Sequence, residues 1–195
     1  TMIIVAARNI LCLIGLLIIM PVIFLSAMFL LAEDGLPIFF KQRRLGLNKK
    51  IFTIYKLRTL KKDAPQVGTH ELEDSYKLKS GKLIRALKLD EFPQLFNVIK
   101  GDINLIGPRP GLDTQIELEE ARFLSGVHSI KPGISGLAQI LGYDMSNPSA
   151  LAKIDKIYIQ NKSLKLDFII LIGTFIKFPR NYLAATFKIS NLKNR

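Results

Sequence analysis

Lys88 to Pro110 reads KLDEFPQLFNVIKGDINLIGPRP and holds the densest set of residues able to do chemistry in this chain. Asp90 and Glu91 are adjacent acids, and Pro93 stands two positions after them. A short helix is expected over about Pro93–Lys100. Proline suits a first helical turn, Leu95, Phe96, Val98 and Ile99 follow with helical spacing, and Gly101 after Lys100 marks the end. The two carboxylates then stand at the N-terminal mouth of that helix. Unpaired N–H groups and the helix dipole favour anions there, and a phosphate can dock beside them. Gly107-Pro108-Arg109-Pro110 comes next. Two prolines lock φ on either side of a guanidinium, whose planar fork matches phosphate oxygens. Acids, helix N-terminus and fixed arginine together point to phosphate chemistry. The same features also fit an acid-capped helix followed by a loop arginine, since acids favour helix N-termini in any case.

Composition narrows what these residues serve. The chain has 195 residues, with 28 Lys+Arg against 16 Asp+Glu, a formal net charge of +12. That excess calls for an anionic partner: nucleic acid, anionic lipid or a phosphorylated substrate. Apolar residues make up 49% and the mean hydropathy is +0.25, so the apolarity must be concentrated somewhere. A lone cysteine, Cys12, excludes an intramolecular disulfide and a thiolate metal cluster. His70 and His128 lack zinc-ligand spacing. A metal, where one is used, is expected to be a hard, oxygen-bound ion such as Mg²⁺. Thr1 ahead of Met2 reads as an added residue.

The concentrated apolarity is Ile10–Ala32, without a charge. As a helix it is about 34 Å long, enough to cross the hydrocarbon core of a bilayer. Pro21 lies near its middle and deprives the Leu17 carbonyl of its helical donor. Two topologies compete: a span with the N-terminus outside, or a re-entrant helix that bends at Pro21 and returns. Lys41, Arg43, Arg44, Lys49 and Lys50 follow the segment and Arg8 precedes it. The positive-inside tendency puts the large domain in the cytoplasm and favours keeping Arg8 there.

The elements that must position the site follow in order. Two β-favouring runs, PIFFKQRR and KIFTIYKLRT, flank Gly46 and Asn48 and predict a hairpin. Lys56 and Arg58 fall on one face by strand period; they could grip a phosphate or form a solvated edge. Lys61–Lys79 reads as a loop able to order over a substrate. Gly81–Leu89 is a basic helical stretch with Arg85 five residues ahead of Asp90. Leu112–Ser125 is a helix with an acidic face. Lys131-Pro132-Gly133-Ile134-Ser135-Gly136 is a rigid turn, followed by Gln139. Asn147-Pro148 caps a helix through about Gln160, on which Asp155 and Tyr158 are either site residues or an ordinary helix face. FIILIGTF within Ser163–Phe178 is too short to span and suits a core or interfacial helix. The basic, apolar tail fits either a lipid surface or a disordered terminus.

PIFFKQRRLG, FTIYKLRTL, KLDEFPQLFNVIKGDINLIGPRP, KPGISGLAQILG and SLKLDFIILIGTF, in this order, resemble the motifs of the small monotopic phosphoglycosyl transferases, bacterial sugar transferases that act on polyprenol phosphate. The resemblance covers about Ile10 to Thr174. It implies an α+β fold of short helices around a β-hairpin, with an N-terminal re-entrant helix broken at Pro21 and with interfacial helices. Residues 1–34 would be the anchor and 35–195 a catalytic domain on the cytoplasmic face of the bacterial inner membrane. It implies Asp90 and Glu91 as catalytic dyad and metal ligands for Mg²⁺. A UDP-sugar would be the donor, polyprenol phosphate the acceptor and UMP the by-product, with Asp90 forming a covalent phosphosugar intermediate. Lys56, Arg58, Arg85, Arg109, Pro110 and Gln139 are counted as substrate-binding. Met20, Lys88, Phe92 and Tyr143 depart from residues more usual in that family. Membrane lipid is an expected partner and nucleic acid is not, since no nucleic-acid motif appears and aromatics are only 9%. A homodimer is left open, and the competing class is a non-catalytic, basic, membrane-anchored scaffold.

Overall fold

The computed structural model describes residues 2–65, 73–176 and 178–189. Helix α1 runs Met2–Asp34, with Pro21 inside it and no interruption of the helical pattern. Its 33 residues give a length of about 50 Å. Ile10, Leu11, Leu17, Ile18, Phe24, Leu25 and Phe29 are exposed. The stretch Val5–Asp34 is long and apolar enough to cross a membrane.

The hairpin forms as expected, from β1 (Phe39–Leu45) and β2 (Ile51–Leu57). A 3₁₀ turn, Leu47–Lys49, joins them, with left-handed backbone at Asn48 (φ 52°) and Lys49 (φ 60°). Asparagine tolerates that conformation better than most residues. Burial does not follow the simple alternation, because Ile54 and Leu57, from opposite faces of β2, are both buried.

By contact density the chain forms two compact units. The first comprises residues 1–42 and 53–101. In it α1 packs on α2 (Lys79–Ala86), on a 3₁₀ helix Leu89–Gln94 and on α3 (Leu95–Lys100). Leu30, Leu57, Leu78 and Ile84 form its core. The end of α1 serves as a bracket. Glu33 accepts the N–H groups of Lys79 (2.6 Å) and Ser80 (2.9 Å), so it caps α2 from outside the helix. In the loop expected over Lys61–Lys79, Leu60 bridges to Lys77 and Asp74–Tyr76 forms a 3₁₀ turn. Residues 66–72 of that loop, His70 included, lie outside the described residues.

The second unit comprises residues 43–52 and 102–195. Its described elements are β3 (Asn104–Ile106), α4 (Ile116–Leu124), β4 (Gly133–Ser135), α5 (Leu137–Ile140), α6 (Pro148–Gln160), α7 (Leu164–Phe175) and α8 (Phe178–Thr186). Strands β3 and β4 pair in parallel, Asn104 opposite Gly133 and Ile106 opposite Ser135. From sequence both read only as loop and turn. The Asn147 carboxamide accepts the Ala150 N–H at 3.1 Å and caps α6 as expected, a contact that contributes about 1 kcal/mol. Ser163 caps α7 in the same way. On α7 the residues Leu166, Ile170 and Gly173 are buried, while Leu164, Phe168, Leu171 and Phe175 form an exposed apolar stripe. The tail beyond residue 189 lies outside the described residues.

Candidate active site

Five of the eight expected site residues belong to the first unit (Lys56, Arg58, Arg85, Asp90, Glu91) and three to the second (Arg109, Pro110, Gln139). The helix expected to start at Pro93 starts earlier. Leu89–Gln94 is a 3₁₀ helix that contains Asp90, Glu91 and Pro93, and it passes directly into α3. The acids therefore lie in its first turn rather than ahead of a helix. Lys88, at φ 56°, sets the entry, and Gly101, at φ 87°, closes α3 as expected.

A 3₁₀ helix has three residues per turn, so consecutive side chains diverge by about 120°. Asp90 and Glu91 accordingly have different surroundings. Asp90 is buried at 8% exposure. Glu91 is half-buried, and its Oε1 accepts from Lys56 Nζ at 2.8 Å. This partly buried, charge-assisted contact is stronger than a neutral one. Lys56 thus serves the acid pair directly. Arg85 lies half-buried in the last turn of α2.

Arg58 behaves differently from the expectation. It is 6% exposed. Its guanidinium bonds the Asp34 carboxylate and donates to the carbonyls of Pro37, Gly35 (2.7 Å) and Leu60 (3.0 Å). These contacts tie the end of α1 to the end of β2, an architectural task that occupies the donors a phosphate would need.

In the second unit, Gly107-Pro108-Arg109-Pro110 is fixed from behind by the KPGISG segment. Gly107 donates to the Ser135 carbonyl and Gly133 to the Pro108 carbonyl, both at 2.9 Å. A Cβ on Gly133 would sit 2.1 Å from the Gly107 nitrogen, and one on Gly136 would sit 2.2 Å from the Gly107 oxygen. Glycine is required at both positions because backbone meets backbone. Arg109 lines a recess with Leu45, Gly46, Arg122, His128 and Pro132. Pro110 is buried, and its carbonyl accepts from Arg44 at 3.1 Å. Gln139 turns towards its own turn, donating to the Ile134 carbonyl at 2.9 Å.

The buried charges behind the recess carry no sequence signal of their own. Arg122, on α4, puts Nε (3.1 Å) and Nη2 (2.7 Å) on one oxygen of Asp155, on α6, and both side chains are almost fully enclosed. Asp155 is therefore an interior ion-pair partner rather than part of an exposed helix face. Burial pushes its carboxyl up while the guanidinium pulls it down. Glu119 belongs by sequence to the acidic face of α4, yet it is 8% exposed, with Oε2 2.9 Å from His128 Nε2. Burial raises the Glu119 carboxyl and lowers the His128 imidazole, with Lys49 and Arg122 adding to the effect on the histidine. Both shifts favour the neutral forms, and neither atom has hydrogen-bond geometry to the other, so the contact is a close polar approach rather than an ion pair. Tyr158 donates to Asp167 at 2.7 Å and pins α6 to α7.

Among the described residues no three acid, histidine or cysteine side chains gather as a ready-made metal cage. Two neighbouring carboxylates nevertheless suit Mg²⁺, which is commonly held by one or two carboxylates plus water and substrate phosphates. Asp90 and Glu91, on one 3₁₀ turn, are the residues that would hold it.

These features sit on an α+β chain whose N-terminal helix is long and apolar enough to cross a membrane. Residues 3–181 match the family model for bacterial sugar transferases, and the chain belongs to that family. It is 44% identical over 147 residues to the uncharacterized sugar transferase EpsL of Bacillus subtilis, covering 73% of this chain and 70% of that one. It is 38% identical over 161 residues to the UDP-N-acetylgalactosamine-undecaprenyl-phosphate N-acetylgalactosaminephosphotransferase of Aeromonas hydrophila. It is 34% identical over 165 residues to the UDP-glucose:undecaprenyl-phosphate glucose-1-phosphate transferase of Caulobacter vibrioides. These matches cover 79% of this chain in both cases, but only 38% and 61% of the respective relatives.

Proposed function

We propose that the protein is a membrane-bound phosphoglycosyl transferase that moves a sugar-1-phosphate from a UDP-sugar to polyprenol phosphate. The by-product is UMP, and the product is the first lipid-linked intermediate of a glycan. The observation that carries this reading is the acid pair: a buried Asp90 beside a Glu91 held by Lys56, on one 3₁₀ turn. The names of the undecaprenyl-phosphate transferases among its relatives support the same reaction.

In this reading an Asp90 carboxylate oxygen attacks the sugar-bearing phosphorus. The bond from that phosphorus to the UMP oxygen breaks, and UMP leaves with the electron pair. A phosphate oxygen of polyprenol phosphate then attacks the same phosphorus, and the Asp90 carboxylate departs. Carboxylates are competent nucleophiles in such two-step transfers. Glu91, oriented by Lys56, serves the acceptor step. Arg85 and Arg109 bind phosphate oxygens and offset charge as it spreads over them. When bound, Mg²⁺ supplies further charge neutralisation at those oxygens. Pro110 and Gln139 hold the Arg109 turn and the KPGISG turn, while Arg58 fixes the junction of α1 and β2.

Residues 1–34 act as the anchor of a catalytic part spanning 35–195 on the cytoplasmic face of the inner membrane, with α7 lying in the interface on its exposed stripe. The re-entrant form of α1 is favoured by what its two halves touch. Ahead of Pro21, the Gly15 backbone faces Leu95 of α3, and after it Glu33 caps α2. Both halves therefore meet the same unit, which suits a helix with both ends on one side better than a straight span. A single cysteine at Val5→Cys on a Cys12→Ser background is expected to stay unlabelled by an impermeant thiol reagent in cells with a permeabilised outer membrane. Labelling there would establish the span instead.

The activity is tested by UMP release from UDP-glucose, UDP-galactose and UDP-N-acetylgalactosamine, with purified protein, Mg²⁺ and undecaprenyl phosphate. Release with none of a wider UDP-sugar panel refutes the reading. In the same assay Arg109→Lys keeps the charge but loses the planar fork. Its rate is expected to fall at least ~10-fold, on the order of 1.4 kcal/mol of transition-state stabilisation. A wild-type rate would rule out a bidentate role for Arg109.

A further inference from the structure

Asn97 is the one polar residue among Leu95, Phe96, Val98 and Ile99 on α3, and it is 0% exposed. Asparagine is a poor helix-interior residue because its amide competes for backbone groups. Here the amide is used outside its own helix. Nδ2 donates to the Thr53 carbonyl at 2.7 Å, and Oδ1 accepts the Tyr55 N–H at 3.3 Å. One carboxamide thus grips two main-chain groups of β2, much as a neighbouring strand would. The two partners fix which amide atom points where, since a carbonyl needs a donor and an N–H an acceptor. Beside it, the Phe96 and Tyr55 rings meet edge to face at 5.9 Å between centroids.

This joint stands between the two ends of the ion pair at the acid site. Lys56 follows Tyr55 on β2, and Glu91 lies on the 3₁₀ helix that runs straight into α3. A slip of β2 by one residue would turn its side chains to the opposite face and present Tyr55 or Leu57 where Lys56 now meets Glu91. We infer that Asn97 is a positioning residue for the transfer reaction, fixing the register of β2 against α3 so that Lys56 stays on Glu91. The inference rests on the reading above that the Asp90–Glu91 turn carries the chemistry. The role of Asn97 in the reaction is to act through Lys56.

Asn97→Asp tests it with almost no change of shape. Ionised, the new carboxylate accepts from Tyr55 but faces the Thr53 carbonyl without a proton to give. Protonated, it can donate there again. The kcat of Asn97→Asp relative to wild type, read by UMP release, is expected to be down at least ~10-fold at pH 8 and to recover to within ~3-fold at pH 5.5, with KM little changed. In a Lys56→Met background, read over hours as single-turnover UMP release, the same substitution is expected to change the rate less than ~2-fold, because the contact it protects is already gone. A pH-independent loss, or an equal loss in the Lys56→Met background, would reduce Asn97 to a structural residue and overturn the inference. Should Asn97→Asp not purify folded, Asn97→Ser, whose hydroxyl serves only one main-chain group, takes its place in the Lys56→Met comparison. A loss confined to the Lys56 background supports the inference there, and an equal loss in both backgrounds overturns it. Asp90→Asn is run alongside. If it is fully active, the reading of the acid turn fails and takes the inference with it. If it is inactive while Asn97 and Lys56 act additively, only the inference fails.

Discussion

Asp90→Asn is expected to release no UMP and to trap no phosphosugar, with turnover below about 1/1000 of wild type, on the order of 4 kcal/mol lost from the transition state. The substitution preserves size at a buried position and removes the charge and nucleophilicity of one oxygen. Glu91→Gln is expected to fail differently. The 3₁₀ turn points the two acids in different directions, and Glu91 is engaged by Lys56. Its variant should lose most turnover yet still form some adduct with UDP-sugar alone, because a nucleophile remains in place. Equal behaviour of the two variants in the first half-reaction would contradict this division of labour.

The second large effect concerns the fold. Arg122→Met leaves the Asp155 carboxylate, 2% exposed, without its cation. Breaking one side of a buried ion pair costs about 3–5 kcal/mol, enough to unfold much of a marginally stable protein. Burial already raises this carboxyl, so in the variant it takes up a proton more readily in the fold than in the unfolded chain. A group with a raised folded value gives stability that is lost as pH rises through that value. The defect should therefore be milder at pH 5 than at pH 8 in denaturant titrations of the detergent-solubilised protein. Arg122→Met with Asp155→Leu removes both charges and is expected to recover most of the loss. A double variant as unstable as the single one would show that packing, not the orphaned charge, is responsible.

Much of this architecture can be read from residue order. The hairpin follows from two β-favouring runs around Gly46 and Asn48, the α6 start from Asn147-Pro148, and the α3 end from Gly101. Each is a local signal whose cause lies within a few residues. The parallel pair β3–β4 is not legible, because short strands flanked by glycine and proline look like turns. Their pairing joins positions about thirty residues apart, such as Asn104 and Gly133. Arg122 and Asp155 look like ordinary helix-surface charges, and only the packing of α4 on α6 makes them interior. Within the candidate site, the acid pair is legible as chemistry, but the pairing of Lys56 with Glu91 and the job of Arg58 are not. Period-2 spacing puts Lys56 and Arg58 on one face, yet β2 ends at Leu57, so Arg58 leaves the strand and turns into the carbonyls around Asp34. Asn97 carries a usable signal, a lone amide inside an apolar helical run.

The most direct test of the central claim is intact-protein mass spectrometry after brief incubation of wild type with Mg²⁺ and the UDP-sugar it turns over, without acceptor. A sugar-phosphate-sized mass increase is expected on wild type, mapping to Asp90, absent from Asp90→Asn and cleared on addition of undecaprenyl phosphate. Wild type that never gains mass, and that releases UMP only when undecaprenyl phosphate is present, would contradict the covalent route and make Asp90 a base or a metal ligand in a direct displacement.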